Sequence, residues 1–100
     1  KNVAIGYQSL LANTDGSSNV AVGIFAGDAN LTGDSNVWVG RSAGGGATDV
    51  ESTICIGRDA GAGVLTSAAD GTIAIALEPS SKQTSDSIVG FLYYQKPVEL

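Results

Sequence analysis

The chain has 100 residues with 14 Gly, one Trp, three Tyr, two Phe, no His and no Met, and a formal net charge of −5. Its five basic residues are scattered at Lys1, Arg41, Arg58, Lys82 and Lys96, which argues against nucleic acid as a partner, since phosphate-backbone binding needs clustered Lys and Arg. No apolar run approaches the roughly 20 residues that cross a bilayer, so no membrane insertion is expected, and the lone Cys55 forms no disulfide within the chain.

In chain order, the first element is the word Asn2-Val3-Ala4-Ile5-Gly6. It returns as Asn19-Val20-Ala21-Val22-Gly23 and Asn36-Val37-Trp38-Val39-Gly40, then in altered form as Thr53-Ile54-Cys55-Ile56-Gly57 and Thr72-Ile73-Ala74-Ile75-Ala76. The starts are 17, 17, 17 and 19 residues apart. A short apolar word that returns at a fixed period after a polar, Gly-rich interval marks a stack of identical supersecondary units. The predicted fold is therefore all-β, a β-solenoid or β-roll of about five short turns with a period of 17 residues.

Side chains alternate along a strand, so the word has two faces. Val3 and Ile5, Val20 and Val22, Val37 and Val39, Ile54 and Ile56, and Ile73 and Ile75 share one face and are expected to fill the solenoid core. Ala4, Ala21, Trp38, Cys55 and Ala74 share the other. None of these is charged, whereas a one-sided strand carries polar residues on its outer face. That second apolar column implies a neighbouring chain, and these five residues are expected to form the interface of an oligomer.

The Gly that closes each word, at Gly6, Gly23, Gly40 and Gly57, is expected at a tight corner or a close backbone approach. Three residues on, Ser9, Ala26, Ala43 and Ala60 form a small-residue column that predicts a second short strand pointing into a narrow interior. A helix over Tyr7 to Ala12 is rejected, because the aligned segment of the third repeat holds Gly44, Gly45 and Gly46, each costing about 1 kcal/mol in a helix. Asn13 to Ser18, Asn30 to Ser35, Ala47 to Ser52 and Thr66 to Gly71 are rich in turn-forming residues and predict loops along one edge of the rod.

The pattern stops at Glu78-Pro79, which divides the chain into a repeat segment at 1–77 and a tail at 78–100. Ser87 to Tyr94 reads as one more strand, either a cap over the exposed solenoid end or the start of a tip. The chain does not begin with Met, and the expectation is of a processed product or a piece of a longer fibre.

The repeated word, most clearly Asn2 to Leu10 with Tyr7-Gln8-Ser9-Leu10, resembles the head repeats of trimeric autotransporter adhesins. It resembles still more the Asn-x-Ala-x-Gly-Tyr-Gln-x-Leu arrays of many phage and large-virus fibre proteins. The resemblance covers roughly seven tenths of the chain, and several tandem copies in register make it more specific than one would be. It implies a side-by-side homotrimer that serves as a stiff surface-attachment element. The 17-residue period is longer than the usual adhesin head repeat, and Trp38 and Cys55 stand where a small residue is usual.

Candidate chemistry is sparse. Asp15, Asp34, Asp49 and Asp70 recur along the turn edge, but their offsets from the word shift, which favours turn residues over a Ca²⁺ ladder. Asn2, Asn19 and Asn36 form a column continued by Thr53 and Thr72; a ladder of amides bonded along the rod is expected in preference to a row of sugar contacts. Glycoside hydrolysis needs two carboxyls set roughly 5–9.5 Å apart in a cleft. Asp49 with Glu51, or Asp59, are the candidates in the repeats, and no His offers a base or a metal ligand. No catalytic residue, metal or cofactor is assigned, and the chain is not expected to be an enzyme.

Phe25 is expected to pack against a neighbouring turn or chain. Tyr93 and Tyr94 are the candidates for receptor contact, because adjacent strand residues face opposite ways. The expected function is a structural and attachment module of an extracellular trimeric fibre, a virion tail fibre in preference to a bacterial cell-surface adhesin, with itself and a host glycan or protein receptor as partners. A purely structural shaft or virion decoration segment is the alternative, and a polysaccharide-cleaving tailspike fragment a remote one.

Overall fold

The computed structural model describes residues 1–63 and 70–75, together with the backbone of the strand at 92–94. Each β-branched word forms a strand of three residues: β1 (Val3–Ile5), β2 (Val20–Val22), β3 (Val37–Val39), β4 (Ile54–Ile56) and β5 (Ile73–Ile75). A sixth, β6 (Leu92–Tyr94), follows. The sheet order is sequential from β1 to β6. The first five strands pair in parallel with the words in exact superposition, Val3 on Val20, Val20 on Val37, Val37 on Ile54 and Ile54 on Ile73. This is a β-solenoid, as the 17-residue period predicts, and its five parallel strands make about four turns where about five were expected.

The backbone ladder extends past the strands. At the strand entry Val3, Val20, Val37 and Ile54 donate their N–H groups to Asn19, Asn36, Thr53 and Thr72 of the next rung, and past its exit Gly23, Gly40 and Gly57 donate back to Ile5, Val22 and Val39. At the corner the rungs come so close that a Cβ on Gly23 would lie 2.7 Å from the carbonyl carbon of Gly40, and its φ is +133°. Only Gly fits that approach.

The return segment is not the second strand expected at the small-residue column. It is a series of turns in which Ser9 N–H bonds Gly6 O, Leu11 bonds Gln8 and Asn13 bonds Leu10. Left-handed φ values recur at Gln8, Phe25, Ser42 and Asp59, and again at Leu10, Gly27, Gly44 and Gly61. Alternation of left-handed and ordinary residues curls the chain too tightly for a strand. The turns nonetheless bond rung to rung, from Leu10 N to Ala26 O, Gly27 N to Ala43 O and Gly44 N to Ala60 O. Ala26, Ala43 and Ala60 are fully buried, so the column does point inward.

The two faces of the strands are the reverse of the sequence expectation. Ala21, Trp38, Cys55 and Ala74 lie inside the single chain with relative exposures of 0, 0, 0 and 1%, so they are core and not an interchain surface. Ala4, on the first of these rungs, faces the same way and is exposed. Val20, Val22, Val37, Val39, Ile54, Ile73 and Ile75 are half-buried, and Val3, Ile5 and Ile56 are exposed. These ten residues form the outer face and not the core.

The physical reason is the width of the coil. The turn segment folds directly onto the strand, leaving an interior that holds Ala and Cys but not two stacked columns of Val and Ile. Trp38 fits because the positions beside it are empty: a Cβ on Gly27 would lie 2.2 Å from its ring, and one on Gly44 2.4 Å. The remaining interior is filled by Leu10, Ala47 and Val50 and by a polar column that bonds to itself.

At the far end of the stack β6 runs antiparallel to β5, with Ile73 opposite Tyr94, Ala74 opposite Tyr93 and Ile75 opposite Leu92. The predicted extra strand at Ser87 to Tyr94 thus has these three residues in strand conformation on the outer edge of β5.

Candidate self-association face

Two columns of β-branched residues, Val3/Val20/Val37/Ile54/Ile73 and Ile5/Val22/Val39/Ile56/Ile75, form a ribbed apolar surface with a repeat of about 4.8 Å. Parallel sheets are ordinarily covered on both faces. Here the turn segments cover one, and among the described residues none covers the other. Ile5 is 60% exposed, Val3 49% and Ile56 40%.

Charged residues flank this face at the two ends of the strands. Ser17, Asp34, Glu51 and Asp70 occupy one column before the strands, as the shared bonding pattern shows: Ser17 N–H donates to Asp34 Oδ1 at 2.6 Å and Glu51 N–H to Asp70 Oδ1 at 2.7 Å. Tyr7, Ile24, Arg41 and Arg58 occupy another just past the closing Gly, superposed through the bonds Phe25 N to Tyr7 O, Ser42 N to Ile24 O and Asp59 N to Arg41 O. Arg58 Nε lies 3.8 Å from Asp59 Oδ2, the one ion pair among the described residues.

Asn19 and Asn36 of the Asn column are buried, at 1% and 0% exposure, while Asn2 on the first rung is exposed. Asn2 Oδ1 accepts from Asn19 N–H, Asn19 Oδ1 from Asn36 N–H and Asn36 Oδ1 from Thr53 N–H, each at 2.9 Å. The amide groups donate sideways to the loops, from Asn19 to Gly33 O and from Asn36 to Val50 O, both at 2.8 Å. Asn19 and Asn36 hold the loop to the strand and, being buried, are out of reach of a sugar. A second ladder was missed in the sequence: Asn30 Nδ2 donates to Asn13 Oδ1 at 2.9 Å. Its signal was the 17-residue spacing of Asn13 and Asn30.

The carboxylates do not converge. Asp34 and Asp70 each cap a backbone N–H of the preceding rung, Asp49 and Glu51 are exposed, and among the described residues no three His, Cys, Asp or Glu side chains gather. Tyr7 and Phe25 meet edge to face with ring centroids 5.8 Å apart, so Phe25 packs on the adjacent rung as expected. Of Tyr93 and Tyr94 the structure gives the strand pairing; their side chains lie outside the described residues. No described helix is long and apolar enough to cross a membrane.

Comparison with protein-family models, with curated proteins and with solved structures yields no match.

Proposed function

We propose that the chain is a structural and attachment module of an extracellular trimeric fibre, a virion tail fibre in preference to a bacterial surface adhesin, and that it acts by rigid display and not by catalysis. The observation that carries this is the β-branched face, which none of the described residues covers. Strands β2, β3 and β5 each present two half-buried Val or Ile side chains outward, and β4 presents half-buried Ile54 beside exposed Ile56; contiguous apolar surface of this kind marks an association site. The face that meets other copies is thus the Val and Ile face, in place of the Ala21, Trp38, Cys55 and Ala74 column. Three copies side by side would bring three such faces to one axis, a closed cyclic arrangement, and weak receptor contacts displayed three times would combine through avidity.

Multi-angle scattering on the folded segment should give about 30 kDa, three times the 10.0 kDa chain; a folded monomer at working concentration would refute the trimer. A glycan array run beside a reducing-sugar release assay separates attachment from cleavage, and release by the purified segment would overturn the non-enzymatic reading. The alternative, a purely structural shaft, is supported by one observation: Asn19, Asn30 and Asn36 are buried in the ladders and offer nothing to a ligand. Absence of any binding on the array would select the shaft.

A further inference from the structure

Rungs β3 and β4 each begin with an acid and end with an arginine. Asp34 precedes β3 and Arg41 follows it; Glu51 precedes β4 and Arg58 follows it. The members of each set lie at opposite ends of a three-residue strand, with a left-handed Ser35 or Ser52 and a corner Gly40 or Gly57 between them, and no ion pair joins them within the chain. Arg41 has no carboxylate partner among the described residues, and Arg58 touches Asp59 through Nε alone, leaving the rest of its donor fork open. The Glu51 carboxylate is exposed and takes part in no bond; its backbone N–H alone is engaged.

Resting on the side-by-side association proposed above, we infer that Arg41 and Arg58 of one copy pair with Asp34 and Glu51 of the next, fixing the copies parallel and level, rung against rung. When two copies meet through the Val and Ile face by rotation about an axis parallel to the stack, the strand ends of one lie beside the strand starts of the other. The arginine column then faces the acid column at the same height. Turning one copy end for end about an axis along the strands sets acid against acid and arginine against arginine, which costs energy where like charges face each other. The apolar ribs alone select neither orientation, since every rung presents the same two β-branched residues. The neighbouring corner positions, Tyr7 and Ile24, are uncharged, and so is Ser17 at the entry to β2, so the charge pattern also marks height along the stack.

The test uses Glu51 and Arg58, both exposed. Glu51→Arg and Arg58→Glu should each weaken association at least about tenfold at low salt, with the difference shrinking as salt screens the pairs. The swapped double variant should recover wild-type association. In parallel, a Glu51→Cys/Arg58→Cys chain treated with a short bismaleimide should link chain to chain, while either single Cys variant should not; Cys55 is buried and does not compete. Association unchanged in the single-charge variants, or failure of the swap to restore it in chains that circular dichroism shows folded, overturns the pairing and leaves association standing. Linkage in a single Cys variant would show the end-for-end arrangement. A wild-type chain that stays monomeric removes both proposals together.

Discussion

Trp38 and Thr53, one rung apart, share a buried hydrogen bond: the indole Nε1–H donates to Thr53 Oγ1 at 3.2 Å, and that hydroxyl donates in turn to Asn36 Oδ1 at 2.7 Å. The largest side chain of the interior is thereby tied to the polar ladder. The indole fills the coil, its one polar atom is satisfied as burial requires, and the ladder changes from Asn to Thr at the point where a hydroxyl can both accept and donate.

Trp38→Ala should destabilise the fold of each chain by about 3–5 kcal/mol, the cost of a large truncation in a core. Denaturant unfolding followed by circular dichroism measures it. Because Trp38 is enclosed by its own chain, its fluorescence should stay that of a buried indole when an assembly is diluted to folded single chains. A red shift on dissociation without unfolding would return Trp38 to the interchain face.

Gly44→Ala introduces a methyl 2.4 Å from the Trp38 ring at a residue with φ +66°. Overpacking costs about 1–3 kcal/mol and the left-handed backbone adds roughly another 1 kcal/mol. Pairing the change with Trp38→Phe, which narrows the ring system, should recover part of the loss; full additivity in a double-mutant cycle would show that the two positions are not in contact.

Asn36→Ala removes the acceptor for Thr53 N–H and the donors to Val50 O and Asn19 Oδ1. Each buried group left unpaired costs about 1–3 kcal/mol. The substitution should unfold the repeat array at ambient temperature or lower its midpoint sharply, whereas Asn2→Ala, at the exposed first rung, should cost far less. Equal effects at the two positions would contradict a ladder that strengthens toward its middle.

Val39→Lys combined with Ile56→Lys places two charges on the outer face. Both chains of the comparison should fold, with the stability of the isolated chain changed by no more than about 1 kcal/mol, as is usual for surface substitutions, and the variant should be monomeric by scattering. Loss of folding in place of loss of association would mean that this face is interior after all.

Ser35 lies in the left-handed region at φ 62° and is exposed. Ser35→Gly should be neutral or stabilising by up to about 1 kcal/mol, and Ser35→Val destabilising, because a β-branched residue tolerates that conformation least. Thermal midpoints in the order Gly, Ser, Val check the assignment.

The strand positions, their parallel stacking and the Asn column were legible because period and residue type speak directly to backbone pairing. Which face pointed inward was not, although the clue was present. Val and Ile look like core, and Trp38 and Cys55 look like a departure from a small-residue interface, when the fully buried Ala26, Ala43 and Ala60 already describe an interior that, opposite the strand, is too thin for two columns of Val and Ile. Hydrophobicity ranks what wants burial; the volume across the coil decides what is buried. The turn segment was hidden for a related reason. Left-handed φ at Gln8, Phe25, Ser42 and Asp59 falls on residues with no common preference for it, so the shared conformation is imposed by rung-to-rung bonding and leaves no mark in composition.

The interval between β4 and β5 is two residues longer than the others, yet Ile54 still lies on Ile73 and Glu51 N–H still reaches Asp70. Gly61 retains the left-handed φ of Gly27 and Gly44, so the added length is confined to the stretch between Gly61 and Asp70. A stack that absorbs extra chain between two rungs without shifting its ladder can carry foreign peptide in that interval. Grafted epitopes of modest length in the matching stretch of the earlier rungs would project at intervals of about 4.8 Å, turning the rod into a ruler on which binding motifs are spaced by choice of rung.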